Sequence, residues 1–155
     1  MIDKKNISLI LLSTASFQRS QQSKLSELKV EEKSFNQLVS FVDKESERML
    51  VEGLKKITPN ASFITEEDTV ANTKSDEYWI IDPLDGTTNY AHGLPQFCTA
   101  VGYASHGVLQ AGAVWDPSRN ELFFAAKGQG AFLDDAPISV SKTSTLDQSV
   151  IATGF

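Results

Sequence analysis

The sequence predicts an α+β fold, with helices layered on a largely antiparallel sheet. Three observations predict it. Composition changes near residue 75: the N-terminal part is polar and rich in Lys, Glu and Ser, and the rest is rich in Gly, Val, Phe and Ala. The first part carries helical periodicity, with Leu50, Val51, Leu54 and Ile57 on one face and Lys44, Glu45, Glu47, Arg48 and Lys55 on the other. The second part carries short apolar runs at about 97–104, 108–115, 120–126 and 130–133. Gly107, Pro117-Ser118-Arg119-Asn120 and Gly128 punctuate them, the spacing of an antiparallel meander.

Taken in order, residues 5–20 read as a first helix, and the charged and polar residues 21–34 as a mobile loop. Asp43 is placed at the start of the second helix, where a carboxylate suits the positive helix end. Thr58-Pro59-Asn60 stops that helix. Ala61 to Ile64 reads as a short strand running into Glu66 and Glu67, with a polar loop over 68–76. Tyr78-Trp79-Ile80-Ile81 is apolar at every position, the mark of a central strand buried on both faces. Asp134-Asp135 makes a turn before Pro137 to Val140, and 149–153 is a candidate final strand. No internal repeat or low-complexity tract occurs.

With 155 residues and two-fifths of them apolar, the chain suits one ordinary domain with a real core. A net charge of -6 argues against a nucleic acid polymer as partner, which calls for a basic face. A phosphorylated small molecule remains compatible, because bound cations reverse the sign of an acidic pocket. No apolar run reaches the length of a membrane span, and Ile7 to Ala15 is broken by Ser8, Ser13 and Thr14. The single cysteine, Cys98, fits a reducing compartment, so a cytoplasmic location is expected, and its apolar surroundings suggest a small core residue.

Chemistry concentrates where the central strand ends, at Asp82-Pro83-Leu84-Asp85-Gly86-Thr87-Thr88-Asn89. Two carboxylates stand three residues apart, with Pro83 fixing the backbone between them and Gly86 allowing a sharp turn. Thr87 and Thr88 then offer hydroxyl and amide groups where a helix can begin. Hard cations take oxygen ligands, and a turn with free N–H groups beside them is a natural phosphate cradle. Asp43, Glu66 and Glu67 are further carboxylates in comparable settings. Gathered without counter-charge they would repel one another, and divalent cations resolve that repulsion.

The segment Asp82 to Asn89 resembles the signature loop of the inositol monophosphatase family. Phe63-Ile64-Thr65-Glu66-Glu67 is similar to the family's upstream Glu-Glu motif, and Gln37 to Asp43 to its Asp-Leu-Val-Thr-x-x-Asp segment. Lys127 to Phe132 and Pro137 to Ser141 resemble later hairpins of the family. Order and approximate spacing agree from about residue 5 onward.

The resemblance implies the first half of a layered αβαβα sandwich and magnesium-dependent hydrolysis of a small phosphate monoester, inositol monophosphate first. A nucleotide 3′-phosphate and a fructose bisphosphate stand as alternatives. It implies that Glu66, Asp82 and the Leu84 carbonyl hold one Mg²⁺, that Asp82 bridges to a second held by Asp85, and that a site takes two or three ions. Asp43 and Thr87 would orient or deprotonate the attacking water, with Glu66 also counted as catalytic. Asp85, Gly86 and Thr87 would hold the phosphate, the last two through their amides. Glu67 would support this set.

The departures are Gln37 in place of an acid, Thr65 where many members have Gly, and the C-terminal end. The family runs on for roughly another hundred residues, so 1–155 is expected to be its N-terminal metal- and phosphate-binding part. Either a homodimer or pairing with that further half is then expected. Trp115-Asp116 does not match the family's later Trp-Asp motif and reads as a turn before Pro117.

Rival chemistries fit less well. Phosphatases with an aspartyl nucleophile separate their two acids by one residue, whereas Pro83 and Leu84 both intervene here. Cys98 lacks the Gly-rich loop and following Arg of a cysteine phosphatase, and His92 and His106 read as surface loop residues. A non-catalytic metal-binding module remains the reading from a different class.

Overall fold

The computed structural model describes residues 2–25, 32–67, 69–70 and 75–152, with 32–35 by backbone alone. Helices α1 (Lys4–Leu25) and α2 (Glu32–Ile57) pack on each other and against one face of a seven-stranded sheet. The strands are β1 (Ser62–Thr65), β2 (Glu77–Asp85), β3 (Cys98–Ser105), β4 (Val108–Asp116), β5 (Glu121–Ala126), β6 (Gly130–Leu133) and β7 (Ala136–Ile138). They lie in sequence order across the sheet. The pair β1–β2 is parallel, and every later pair is antiparallel. The fold is therefore α+β as expected, with a short helix α3 (Thr87–Ala91) directly after β2.

Alternation along the strands decides which face meets the helices. Trp79 and Ile81 of β2, Ala111, Ala113 and Trp115 of β4, and Leu122 and Phe124 of β5 are buried against Ile7, Leu11 and Ala15 of α1 and Leu50, Val51 and Leu54 of α2. The helical residues recur every three or four positions, which puts them on one stripe. Fully burying side chains of this size stabilises by about 1.5–3 kcal/mol each. Gly53 lets the helices approach closely, since a Cβ there would sit 2.8 Å from Ile10 Cγ2.

The sequence reading needs four corrections here. Helix α1 runs on to Leu25, and α2 already begins at Glu32, so much of 21–34 is helical; 26–31 lies outside the described residues. Asp43 therefore sits well inside α2 and does not open it. Leu38, Val42, Ser46, Leu50 and Leu54 keep a four-residue period through that region, which polar Asn36, Gln37 and Ser40 disguise. The strand β2 is buried on one face only, with Ile80 45% exposed. Ile80, Leu109, Val114, Phe123 and Ile138 line an open apolar concavity on the sheet, because the described chain supplies no second layer there. Finally, residues 149–152 form no strand, and only a single 3₁₀ turn (Leu146–Gln148) precedes them.

Candidate active site

The acidic segment is shaped by an irregularity in β2. Asp82 pairs with Ala100 and Asp85 with Cys98, so three steps on β2 oppose two on β3. An extra residue of this kind bends a strand and re-aims its side chains. It falls where Pro83 has no N–H to give the ladder. The Leu84 N–H turns back to donate to Asp82 Oδ1 (3.2 Å). Gly86 then adopts φ 92°, and a Cβ there would lie 2.7 Å from the Gln96 carbonyl oxygen. Both facts require glycine. The chain passes straight into α3, whose first side chain, Thr87, donates its hydroxyl to the Leu84 carbonyl (3.0 Å).

Beneath this turn lies a buried polar knot. Gln18 Nε2 of α1 donates to the Pro83 carbonyl at 2.8 Å and lies 3.2 Å from both Ser46 Oγ and Thr99 Oγ1. The Thr99 hydroxyl donates to the same Pro83 carbonyl (3.0 Å), and the Tyr90 hydroxyl donates to the Gln18 carbonyl (2.7 Å). A second apolar cluster of Leu25, Val42, Leu84, Tyr90 and Phe97 packs around it. Satisfied polar groups in a core specify one arrangement, and here that arrangement is the backbone of the acidic loop.

Five carboxylates share the site, and their mutual influence is visible in two of them. Burial raises the Asp43 carboxyl, the charges of Glu67, Glu66 and Asp82 add to the effect, and the Thr87 side chain partly opposes it; the result is a pKa of about 7. Asp82 is pushed up to about 6, first by burial, then by the charges of Glu66 and Asp85 and a hydrogen bond with Glu66. The leading charges acting on both groups are those of other carboxylates. In this conformation no three His, Cys, Asp or Glu side chains among the described residues converge as ready-made ligands of one ion. Glu66, Asp82 and Asp85 are linked in pairs through Asp82, and the Leu84 carbonyl faces the Thr87 hydroxyl. The chemistry of the donor set nonetheless fits a hard divalent cation: oxygen donors only, and crowded enough to raise one another's pKa.

The structure thus brings Asp43, Glu66, Glu67, Asp82, Asp85 and Thr87 into one neighbourhood from α2, the end of β1, β2 and α3. Cys98 differs from expectation. It is half-buried at the rim of this site, with Sγ 3.7 Å from Asp85 Oδ2. Its pKa is pushed up to about 12 by burial, by the charge and hydrogen bond of Asp85, and by Asp82 and Asp116, so it stays a thiol rather than a nucleophile. Asp116 is the turn former that was expected, its Oδ1 accepting the N–H groups of Ser118 (2.8 Å) and Arg119 (3.0 Å). His92 and His106 are exposed.

Sequence reasoning missed Gln18 and Glu47. Glu47 is wholly buried, and its carboxylate accepts the N–H of Glu67 (2.7 Å) and the N–H and hydroxyl of Thr69 (2.9 and 2.6 Å). Burial alone would raise its pKa, but these hydrogen bonds, with one from Thr65, hold it below the usual glutamate range. Its only sequence signal was the four-residue step from Asp43, which places both on one helix face.

Residues 4–155 match the inositol monophosphatase family, and the chain belongs to it. It is 44% identical over 132 residues to a protein named putative Nus factor SuhB from Neisseria meningitidis, a match covering 84% of this chain and 51% of that one. It is 39% identical over 126 residues to a fructose-1,6-bisphosphatase/inositol-1-monophosphatase from Thermotoga maritima, covering 81% and 48%. The solved inositol monophosphatase from Anabaena superposes with a TM-score of 0.75 at 34% identity, over 90% of this chain and 50% of that one. The chain spans about half the length of the relatives it matches.

Proposed function

We propose that this chain supplies the metal- and phosphate-binding half of a Mg²⁺-dependent phosphatase that hydrolyses a small phosphate monoester, inositol monophosphate first. A fructose bisphosphate or a nucleotide 3′-phosphate would suit the same half. The observation that carries the reading is the cluster of five carboxylates around the Asp82–Thr87 turn, where burial and neighbouring carboxylates are the leading influences that raise its two most perturbed members.

In this reading Glu66, Asp82, Asp85 and the Leu84 carbonyl hold the ions. When bound, Mg²⁺ supplies charge neutralisation and Lewis acidity at the phosphate and at water. The chain's own residues do the rest. Asp43, raised towards neutrality, takes up a proton from water, and Thr87 beside it orients that water. Asp85 and the amides of Gly86 and Thr87 position the phosphate at the start of α3, where first-turn N–H groups have no partner within the helix. Cys98 plays no nucleophilic part.

The test is phosphate release from each of the three substrate classes. It is run on the chain alone and on the chain joined to the C-terminal half of a relative. Hydrolysis by the joined form is expected to need Mg²⁺ and to vanish with a chelator, while the chain alone is expected to turn over little. Undiminished hydrolysis after metal removal would sink the proposal. A binding module without turnover is the second reading. It draws on the Nus-factor name borne by a relative and on the apolar sheet concavity. Absence of Mg²⁺-dependent hydrolysis in the joined form, on all three classes, would favour it.

Among the described residues no helix is long and apolar enough to cross a membrane. A cytoplasmic site of action remains part of the proposal, to be checked by fractionating cells that make the protein. So does self-association through the apolar concavity, a homodimer where no further half covers it. Sedimentation at rising concentration is expected to show the mass of two chains, and a monomer throughout would exclude it.

A further inference from the structure

Glu47 is a buried carboxylate in the middle of a helix, and all three donors in its closest hydrogen bonds belong to two residues just past β1. Oε2 takes the Glu67 N–H at 2.7 Å, and Oε1 takes both the N–H and the hydroxyl of Thr69 at 2.9 and 2.6 Å. On the other side of Glu66, Thr65 is in register with Ile81, the residue before Asp82. Glu66 is thus held between a sheet pairing and a carboxylate clamp. Asp43 lies one helical turn before Glu47, on the same face of α2.

We propose that Glu47 is a positioning residue, fixing Glu66 beside Asp82 and tying that pair to Asp43 through the rigid face of α2. The inference rests on the reading of Glu66 and Asp82 as cation ligands. The chemistry requires a carboxylate. Its two oxygens accept these three close hydrogen bonds and one from the Thr65 side chain, each strengthened by the charge. A glutamine would present an NH₂ group to one set of donors and leave them unpaired against the buried side chain at position 47. A staple with a merely structural role would affect stability alone, whereas a positioning residue also sets cation affinity.

The experiment compares wild type, Glu47→Gln and Leu50→Ala, the last a destabilised core control. Binding of Mn²⁺ alone is measured by calorimetry, and amide hydrogen exchange at Glu67 and Thr69 by NMR. Removing groups that orient ligands typically weakens metal binding 10–100-fold. Glu47→Gln is expected to weaken Mn²⁺ binding by about that factor and to speed exchange at both amides, while Leu50→Ala changes neither selectively. Thr69→Ala, altered on an exposed residue and so safe for folding, is expected to weaken binding roughly threefold to tenfold through the lost hydroxyl. Wild-type Mn²⁺ affinity in Glu47→Gln and Thr69→Ala, or unchanged exchange at both amides in Glu47→Gln, would overturn the role of Glu47 alone. A wild-type chain that binds no Mn²⁺ would overturn the metal-site reading and this inference with it.

Discussion

Thr87→Ala is expected to lower turnover of the chain joined to the C-terminal half of a relative by about 10²–10⁴, and Asp43→Asn by a similar factor. Both act on one water in the proposed mechanism, and the Thr87 side chain already interacts with the Asp43 carboxyl. Residues that work as a unit give non-additive losses. The double variant is therefore expected to fall little further than either single one. The measurement is turnover of all four proteins of this cycle, with mass spectrometry of quenched enzyme. Multiplicative losses would separate the two residues. A phosphate adduct on Asp82 would replace the water mechanism with an aspartyl nucleophile.

Gly86→Ala is expected to be the most damaging small substitution. The residue sits at φ 92°, and the added methyl would meet the Gln96 carbonyl at 2.7 Å. Backbone strain of this kind costs about 1–3 kcal/mol, and that carbonyl cannot retreat freely because it accepts the Asn89 side-chain amide (2.7 Å). The turn must shift, and with it Asp85 and Thr87. A displacement near 1 Å at such a site can cost on the order of 10² in rate. Turnover should fall by that factor or more even where denaturation shows the chain still folded. Full activity in a stably folded Gly86→Ala protein would mean that the turn does not position the phosphate.

Much of this arrangement was legible in the sequence for a physical reason. The meander is built from nearest-neighbour hairpins, and turn residues such as Gly107 and Gly128 announce them locally; both adopt positive φ. The Asp82–Thr87 turn was equally local, since its glycine and proline act within six residues. What escaped notice depends on distant partners. The start of α2 was misplaced because Leu38 and Val42 find their apolar neighbours only in the folded chain, around Tyr90 and Phe97. Glu47 looked like part of a solvated charged stripe. Its burial follows from donors twenty and more residues away, at Glu67 and Thr69. Gln18 likewise meets its acceptor, the Pro83 carbonyl, 65 residues further on. Ile80 was read as buried twice over because an all-apolar run carries no sign of which layer will be supplied.

The strict agreement between chain order and sheet order bears on how the molecule is made. Each strand from β2 to β7 pairs with the one before it, so no hairpin has to wait for a later segment to close. Chains with such local pairing have low contact order, which favours fast folding. Synthesis proceeds at about 5–20 residues per second, slowly enough for each hairpin to form as it leaves the ribosome. Ile80, Val114 and Phe123 would then face water on a nascent, already ordered sheet. That interval is when this sheet is most exposed to chaperones and to misassembly.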